Sequence, residues 1–422
     1  MSVTTTFDQQ ELTLSNRLHQ ALYLFVWLTF FLNAIVIKEP APCDLFMMVF
    51  VVIMPLFGMV RILPLHALFL ACWAIIIAGG FIAAGTHEFY YVSVKHMVIS
   101  LYLAIFSVAL AAFVSKDPEQ NLKVIWSGYV CGAIIAALAG IVGYFNLFPG
   151  AFELFTKYQR ASGTFKDPNV LGPFLVPAFL YCLHILLTKN FRDGLIATVL
   201  MGLFLFAILM SFSRGAWVLF AFSSAFYICF FFFTARDNRQ RVKTITLCLL
   251  SLIAFVGIIT VALQSPKVQA LWSERASLNQ SYDVGDQGRF VGHKKAAKII
   301  SENPIGIGAL YFGYFYHHEL PHNLYLSMFL STGWIGGALF LFLTGATLYF
   351  GAKIMLRESP WMHFHGIAYC SFVGLALESY IIDSDHWRLL YILMGLIWGA
   401  YGYYQFEDSS LKKRSSAPLA AQ

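Results

Sequence analysis

Runs of about 20 apolar residues recur along this chain, each long enough to cross a hydrocarbon layer of about 30 Å as a helix. Scanning on that criterion predicts twelve spans, at 20–37, 45–60, 63–84, 96–114, 123–146, 169–187, 193–211, 214–234, 244–263, 323–350, 363–382 and 386–404. Only 12% of the residues are charged, against roughly 25% in soluble domains, which excludes an ordinary soluble fold. The expected architecture is all-α. It is a polytopic membrane protein of about 12 transmembrane helices, residues 1–422 forming one integral membrane domain, with one large outward loop between helices 9 and 10.

Orientation follows from the basic residues of the short loops. Placing both termini in the cytoplasm puts fifteen Lys and Arg on that side, among them Arg236, Arg239, Arg241 and Lys243, and leaves seven in the opposite short loops. The long loop, 264–322, then faces outward, into the periplasm of a Gram-negative cell, and 405–422 reads as a disordered cytoplasmic tail. The first 18 residues carry Asp8 and Glu11 instead of a basic leader region, and the first apolar run ends in Lys38-Glu39-Pro40, so that run is expected to be retained. In such a chain the net charge of +6 mostly records orientation and does not point to nucleic acid. The seven cysteines lie in or beside apolar runs without the spacing of a metal site, so neither disulfides nor structural zinc are expected.

The chemistry concentrates outward. Within the long loop, GRFVGHKKAAKIISENP reads as an amphipathic helix ended by Pro304, with Arg289, His293, Ala296 and Ile300 on one stripe and Lys294, Lys295 and Lys298 solvated. Gly306 and Gly308 then give a backbone able to approach a ligand closely. His322, between Pro321 and Asn323, stands at the start of the tenth span. Arg214 sits in a junction of barely five residues, where an arginine is costly unless paired or wetted; snorkelling is the plainer explanation. Arg160 precedes the turn Asp167-Pro168-Asn169, a strong helix-start signal. Glu378, Asp383, Asp385, His386 and Arg388 gather around the last outward loop, there to orient an arginine or a sugar, or to pair with each other. No Walker motif or dinucleotide fingerprint is present, which disfavours nucleotide-driven transport.

Two or three arginines and a histidine on one membrane face suit the attack of a hydroxyl on a sugar whose leaving group is a lipid diphosphate. Arginine forks bind diphosphate oxygens bidentately without a metal ion, and a histidine takes the proton of the hydroxyl.

The strings GRFVGHKKAAKIISENPIGIGALYFGYF and PHNLYLSMFLSTGWIGGALFLF, with RASGTFKDPNVLG and SFSRGAW upstream, resemble the O-antigen ligase family from about residue 160 onward. The wider superfamily shares these strings with O-antigen polymerases and protein O-oligosaccharyltransferases. The resemblance implies transfer of polysaccharide, with inversion, from undecaprenyl diphosphate to a sugar hydroxyl of lipid A–core at the periplasmic face of the inner membrane, without cofactor, metal or nucleotide. It places His322 as the base and Arg214 and Arg289 on the diphosphate. Two departures from the family pattern stand beside it: His317 and His318 are rival bases, and Arg160 is a candidate third diphosphate ligand. The runner-up is a polymerase acting on a second lipid-linked glycan. A non-enzymatic polysaccharide transporter is a third reading, for which mid-span charges and a repeated half are wanting.

Overall fold

The computed structural model describes residues 2–88, 90–235, 237–262, 264–266, 269 and 288–415. They form helices α1 (Ser2–Leu32), α2 (Pro42–Leu56), α3 (Pro64–Ala84), α4 (Tyr90–Val114), α5 (Pro118–Tyr144), α6 (Ala151–Phe155), α7 (Pro168–Thr188), α8 (Phe191–Met210), α9 (Arg214–Thr234) and α10 (Asn238–Ala262). After the long loop come α11 (Arg289–Glu302), α12 (Tyr311–Phe315), α13 (Leu324–Met355), α14 (Met362–Glu378) and α15 (Arg388–Ser415). A two-stranded hairpin of β1 (Thr156–Lys157) and β2 (Arg160–Ala161) is the one sheet among the described residues. The protein is thus an all-α polytopic membrane protein. Among the described residues, seven helices, α3, α4, α5, α7, α8, α9 and α13, are long and apolar enough to cross a membrane by length and composition.

Local chemistry explains where the helices begin. Pro42, Pro64, Pro118 and Pro168 stand in the first turn of α2, α3, α5 and α7, where the preset φ suits a helix and the missing N–H leaves no bond unmade. Asp167 caps α7 by accepting from Asn169 N at 2.8 Å, and Asn323 caps α13 by accepting from Leu326 N at 3.1 Å. Helices in lipid associate through close packing at small residues. Accordingly, a Cβ on Gly128 would lie 2.4 Å from the Trp27 carbonyl oxygen, and one on Gly399 would lie 2.6 Å from that of Ala111. Around these seams, stacked aromatics such as Phe69 on Trp398, centroids 4.3 Å apart, fill the core.

Three expectations need correction. The glycine pair approaches protein, not an open ligand face: at Gly306 (φ +90°) an added Cβ would stand 2.7 Å from Gly333 N and 2.8 Å from Leu330 O. That contact seats the turn on α13 where the helix is interrupted by Gly333 (φ 73°, ψ −174°), and the bonds Ile307 N to Leu330 O (2.7 Å) and Trp334 N to Pro304 O (2.8 Å) fasten it. Residues 405–415 continue α15 where a disordered tail was expected. A helix already nucleated adds residues at little cost, and the Ser409 and Ser410 hydroxyls bond back to the carbonyls of Phe406 and Glu407. Finally, His322 is not the first residue of its helix; it precedes the cap, in left-handed backbone at φ 51°. Of the long loop, residues 267, 268 and 270–287 lie outside the described residues, as do 416–422 of the tail.

Candidate functional site

His322 is held from both sides of its backbone. Its N–H donates to Asp383 Oδ2 at 2.8 Å, and the next N–H, of Asn323, donates to Asp383 Oδ1 at 3.2 Å. The Ser327 hydroxyl adds a third bond to the same carboxylate at 2.5 Å. Three donors on one carboxylate stabilise the left-handed turn, a conformation non-glycine residues rarely adopt. The imidazole remains accessible, its side chain 32% exposed, with Nε2 3.1 Å from Glu319 Oε2 and Nδ1 3.9 Å from Asp383 Oδ2. Asp383 itself is buried. Burial and the charge of Asp385 push its carboxyl above the ordinary value, against the pull of the Ser327 hydroxyl and of His322.

Arg289 opens α11 directly after its cap Gly288. One turn on, His293 places its ring 6.3 Å from that of Tyr380 and against the backbone of Pro321 and His322. Burial lowers the His293 imidazole below its ordinary pKa, and the charges of Arg289 and His322 add to that effect. The stripe read in the sequence therefore brings Arg289 and His322 together around His293, while Ala296 and Ile299 seat the helix on Ile307 and Leu330.

Arg214 is the first residue of α9, after the turn Ser211–Ser213, in which Phe212 is left-handed and buried. Arg160, 7% exposed, donates from Nε to the Ser211 carbonyl and from Nη2 to Asn169 Oδ1, both at 2.7 Å. It thereby ties the turn that carries Arg214 to the start of α7. Next to Arg214, Gly215 packs on Glu378, whose buried carboxylate oxygens have no hydrogen-bond partner among the described residues. The rival histidines differ in kind. His317 is buried beside Gly292, with Nδ1 accepting from Glu319 N at 3.3 Å, whereas the His318 side chain is 53% exposed.

One cluster escaped the sequence reading. His96, on α4, bonds from Nε2 to Asp385 Oδ2 at 2.6 Å, and its ring stacks on His386 with centroids 3.7 Å apart. His386 Nε2 in turn lies 3.0 Å from Ser100 Oγ. Burial alone would raise Asp385, but the His96 imidazole overrides it and holds the carboxyl well below the usual range; burial pushes the His386 imidazole down to about 4. His96, Asp385 and His386 each offer a ligand atom within 4.8 Å of the others, a donor set that could hold a divalent ion. His96 lies 289 residues before Asp385 in sequence, and no local motif announces the pairing.

A cavity of about 360 Å³ opens beside His322, between the α1–α2 connection, the start of α7 and the 382–389 loop. The size is that of a small-molecule site. Residues 196–341, which carry Arg214, Arg289 and His322, match the family model described as O-antigen ligase. The chain resembles the O-antigen ligase family over these 146 of its 422 residues. No curated protein matches it. The matched region ends before Asp383, so the residue that fixes the His322 backbone comes from outside it.

Proposed function

We propose that the protein is the ligase proper: an inverting glycosyltransferase that moves polysaccharide from undecaprenyl diphosphate to a sugar hydroxyl of lipid A–core. It does so from the periplasmic face of the inner membrane, on a scaffold of twelve spans with both termini in the cytoplasm. What supports this reading is a one-third-exposed imidazole, its backbone fixed by Asp383, that borders a cavity of about 360 Å³ and neighbours His293 together with Arg289.

In the step proposed, the acceptor oxygen forms a bond to the anomeric carbon while the bond from that carbon to the diphosphate oxygen breaks. The electron pair leaves on the diphosphate, and the hydroxyl proton passes to His322. Glu319 Oε2, 3.1 Å from Nε2, holds a proton there and leaves Nδ1 as the accepting nitrogen. Arg214 and Arg289 stabilise the diphosphate as it departs, being charged at any physiological pH, and Arg160 braces the turn that carries Arg214. Neither metal nor nucleotide takes part.

Deleting the gene and comparing lipopolysaccharide ladders tests the reading against the polymerase alternative. A ligase null leaves core–lipid A without polymer while long chains accumulate on undecaprenyl diphosphate. Core–lipid A bearing single repeat units would show a polymerase instead.

A further inference from the structure

The cavity beside His322 is rimmed by acids: Glu39, Asp167, Asp383 and Asp385 line it, with Lys166 and Arg388 as its cations. Both cations are matched within the protein. Arg388 lays Nε and Nη2 on the two carboxylate oxygens of Asp44 at 2.7 and 2.8 Å, and Lys166 Nζ meets Glu39 Oε2 at 3.0 Å. A diphosphate brought here would face net negative charge, and like charges a few ångströms apart in a partly buried site repel strongly. None of Arg160, Arg214 and Arg289 borders this space. Its other polar walls are the amides of Asn33 and Asn169, with the indole of Trp387 beside them. Carboxylates, amides and an aromatic face are groups that bind neutral hydroxyls and the apolar face of a sugar ring.

His322 also borders a second cavity, of about 430 Å³, lined on the loop side by Tyr314, His318 and Glu319. The imidazole is therefore a partition. Its Nε2 faces Glu319, which lines the second cavity, and its Nδ1 faces Asp383, which lines the first.

We propose that the acid-rimmed cavity is the acceptor subsite, taking the uncharged terminal sugar of the acceptor glycan so that its hydroxyl meets Nδ1. The donor diphosphate is turned away from this side by charge. The assignment rests on the glycosyl-transfer reading above and adds to it which substrate occupies which side of the histidine.

Lys166, its side chain 58% exposed, reports occupancy without turnover. Purified full-length protein in nanodiscs is acylated with a membrane-impermeant amine reagent, and labelling of Lys166 is followed by peptide mass spectrometry. Added core–lipid A should slow labelling several-fold, while undecaprenyl diphosphate and lipid A stripped of its core sugars should not. Protection by undecaprenyl diphosphate would make the cavity a donor site, equal protection by stripped lipid A would make it a lipid contact, and protection by neither would leave it no substrate site; each overturns the proposal. Transfer measured on the same preparation separates the two readings. An active protein with unprotected Lys166 loses only the subsite, whereas protection by core–lipid A without any transfer keeps the subsite and overturns the reaction.

Discussion

The carboxylate of Asp383 accepts the backbone N–H of His322 at 2.8 Å, while the imidazole Nδ1 stands 3.9 Å from the same oxygen. The acid therefore fixes where the ring is mounted and, with Nε2 on Glu319, leaves Nδ1 to the substrate. Asp383→Asn keeps the size but offers an amide N–H where a backbone N–H must be accepted. Leaving a buried donor unmatched costs about 1–3 kcal/mol. We expect a lower melting temperature together with lost transfer, and unchanged melting would show that the turn does not depend on this carboxylate.

His322→Ala removes the proton acceptor. The rate of transfer should fall by about 10²–10⁴-fold, the usual scale of general base catalysis, while undecaprenyl diphosphate still binds. His318→Ala should stay near the wild-type rate, since that side chain is 53% exposed and lies outside the Asp383 turn. His317→Ala should lower stability, its ring being buried against Gly292. An inactive but stable His317 or His318 variant beside an active His322→Ala would move the base to that residue.

The arginines should divide by task. Arg214→Lys and Arg289→Lys keep the charge but lose the planar fork that holds two oxygens at once, so both donor affinity and turnover should drop. Arg160→Lys should register first in thermal melting, because its Nε and Nη2 already hold the Ser211 carbonyl and Asn169. Titrating donor into each variant and melting each in detergent checks the division; equal losses of affinity in all three would place Arg160 on the diphosphate as well.

Chelator should leave transfer by the purified protein unchanged. His96 Nε2 already meets Asp385 Oδ2, and His386 Nε2 meets Ser100 Oγ, so an ion held by the trio would have to displace these bonds. Activity lost in excess chelator and restored by a divalent cation would overturn this expectation.

Burial depresses the His293 imidazole below its ordinary 6.5. A histidine lowered in the folded state resists protonation that the unfolded chain accepts. Its contribution to stability is full above pH 6.5 and is lost as the pH falls through the lower folded value. Wild-type melting temperature should decline over that window more steeply than that of His293→Gln, and parallel curves would show that His293 is not the titrating group.

The seven apolar spans found among the described residues were legible because lipid permits few alternatives: an apolar run of about 20 residues has to hide its backbone bonds within itself. Their starts were legible too, where proline or an Asp or Asn cap marks them, as at Asp167 and Asn323. The stripe Arg289, His293, Ala296, Ile300 was readable from helical spacing alone. What sequence could not show was pairing at a distance. Asp383 lies 61 residues beyond His322, and His96 lies 289 before Asp385. Gly306 and Gly308 signalled closeness to something, but a glycine looks the same whether its neighbour is a ligand or the backbone of α13. The charged, serine-rich end of α15 likewise reads as a solvated tail until the helix beneath it is known.

The interruption of α13 at Gly333 divides that helix into a lower shaft and an upper stub, Leu324 to Thr332, which shares its fastening with the 304–307 turn. The stub begins two residues after His322, and within the bundle its last carbonyl, that of Thr332, would lie 2.6 Å from a Cβ placed on Gly79 of α3. A single methyl group added there, on a neighbouring helix and away from every polar group of the site, would push the stub like the short arm of a lever and swing the imidazole out of line. The aim of the imidazole is thus set in part from α3, and Gly79→Ala should impair the histidine without touching it.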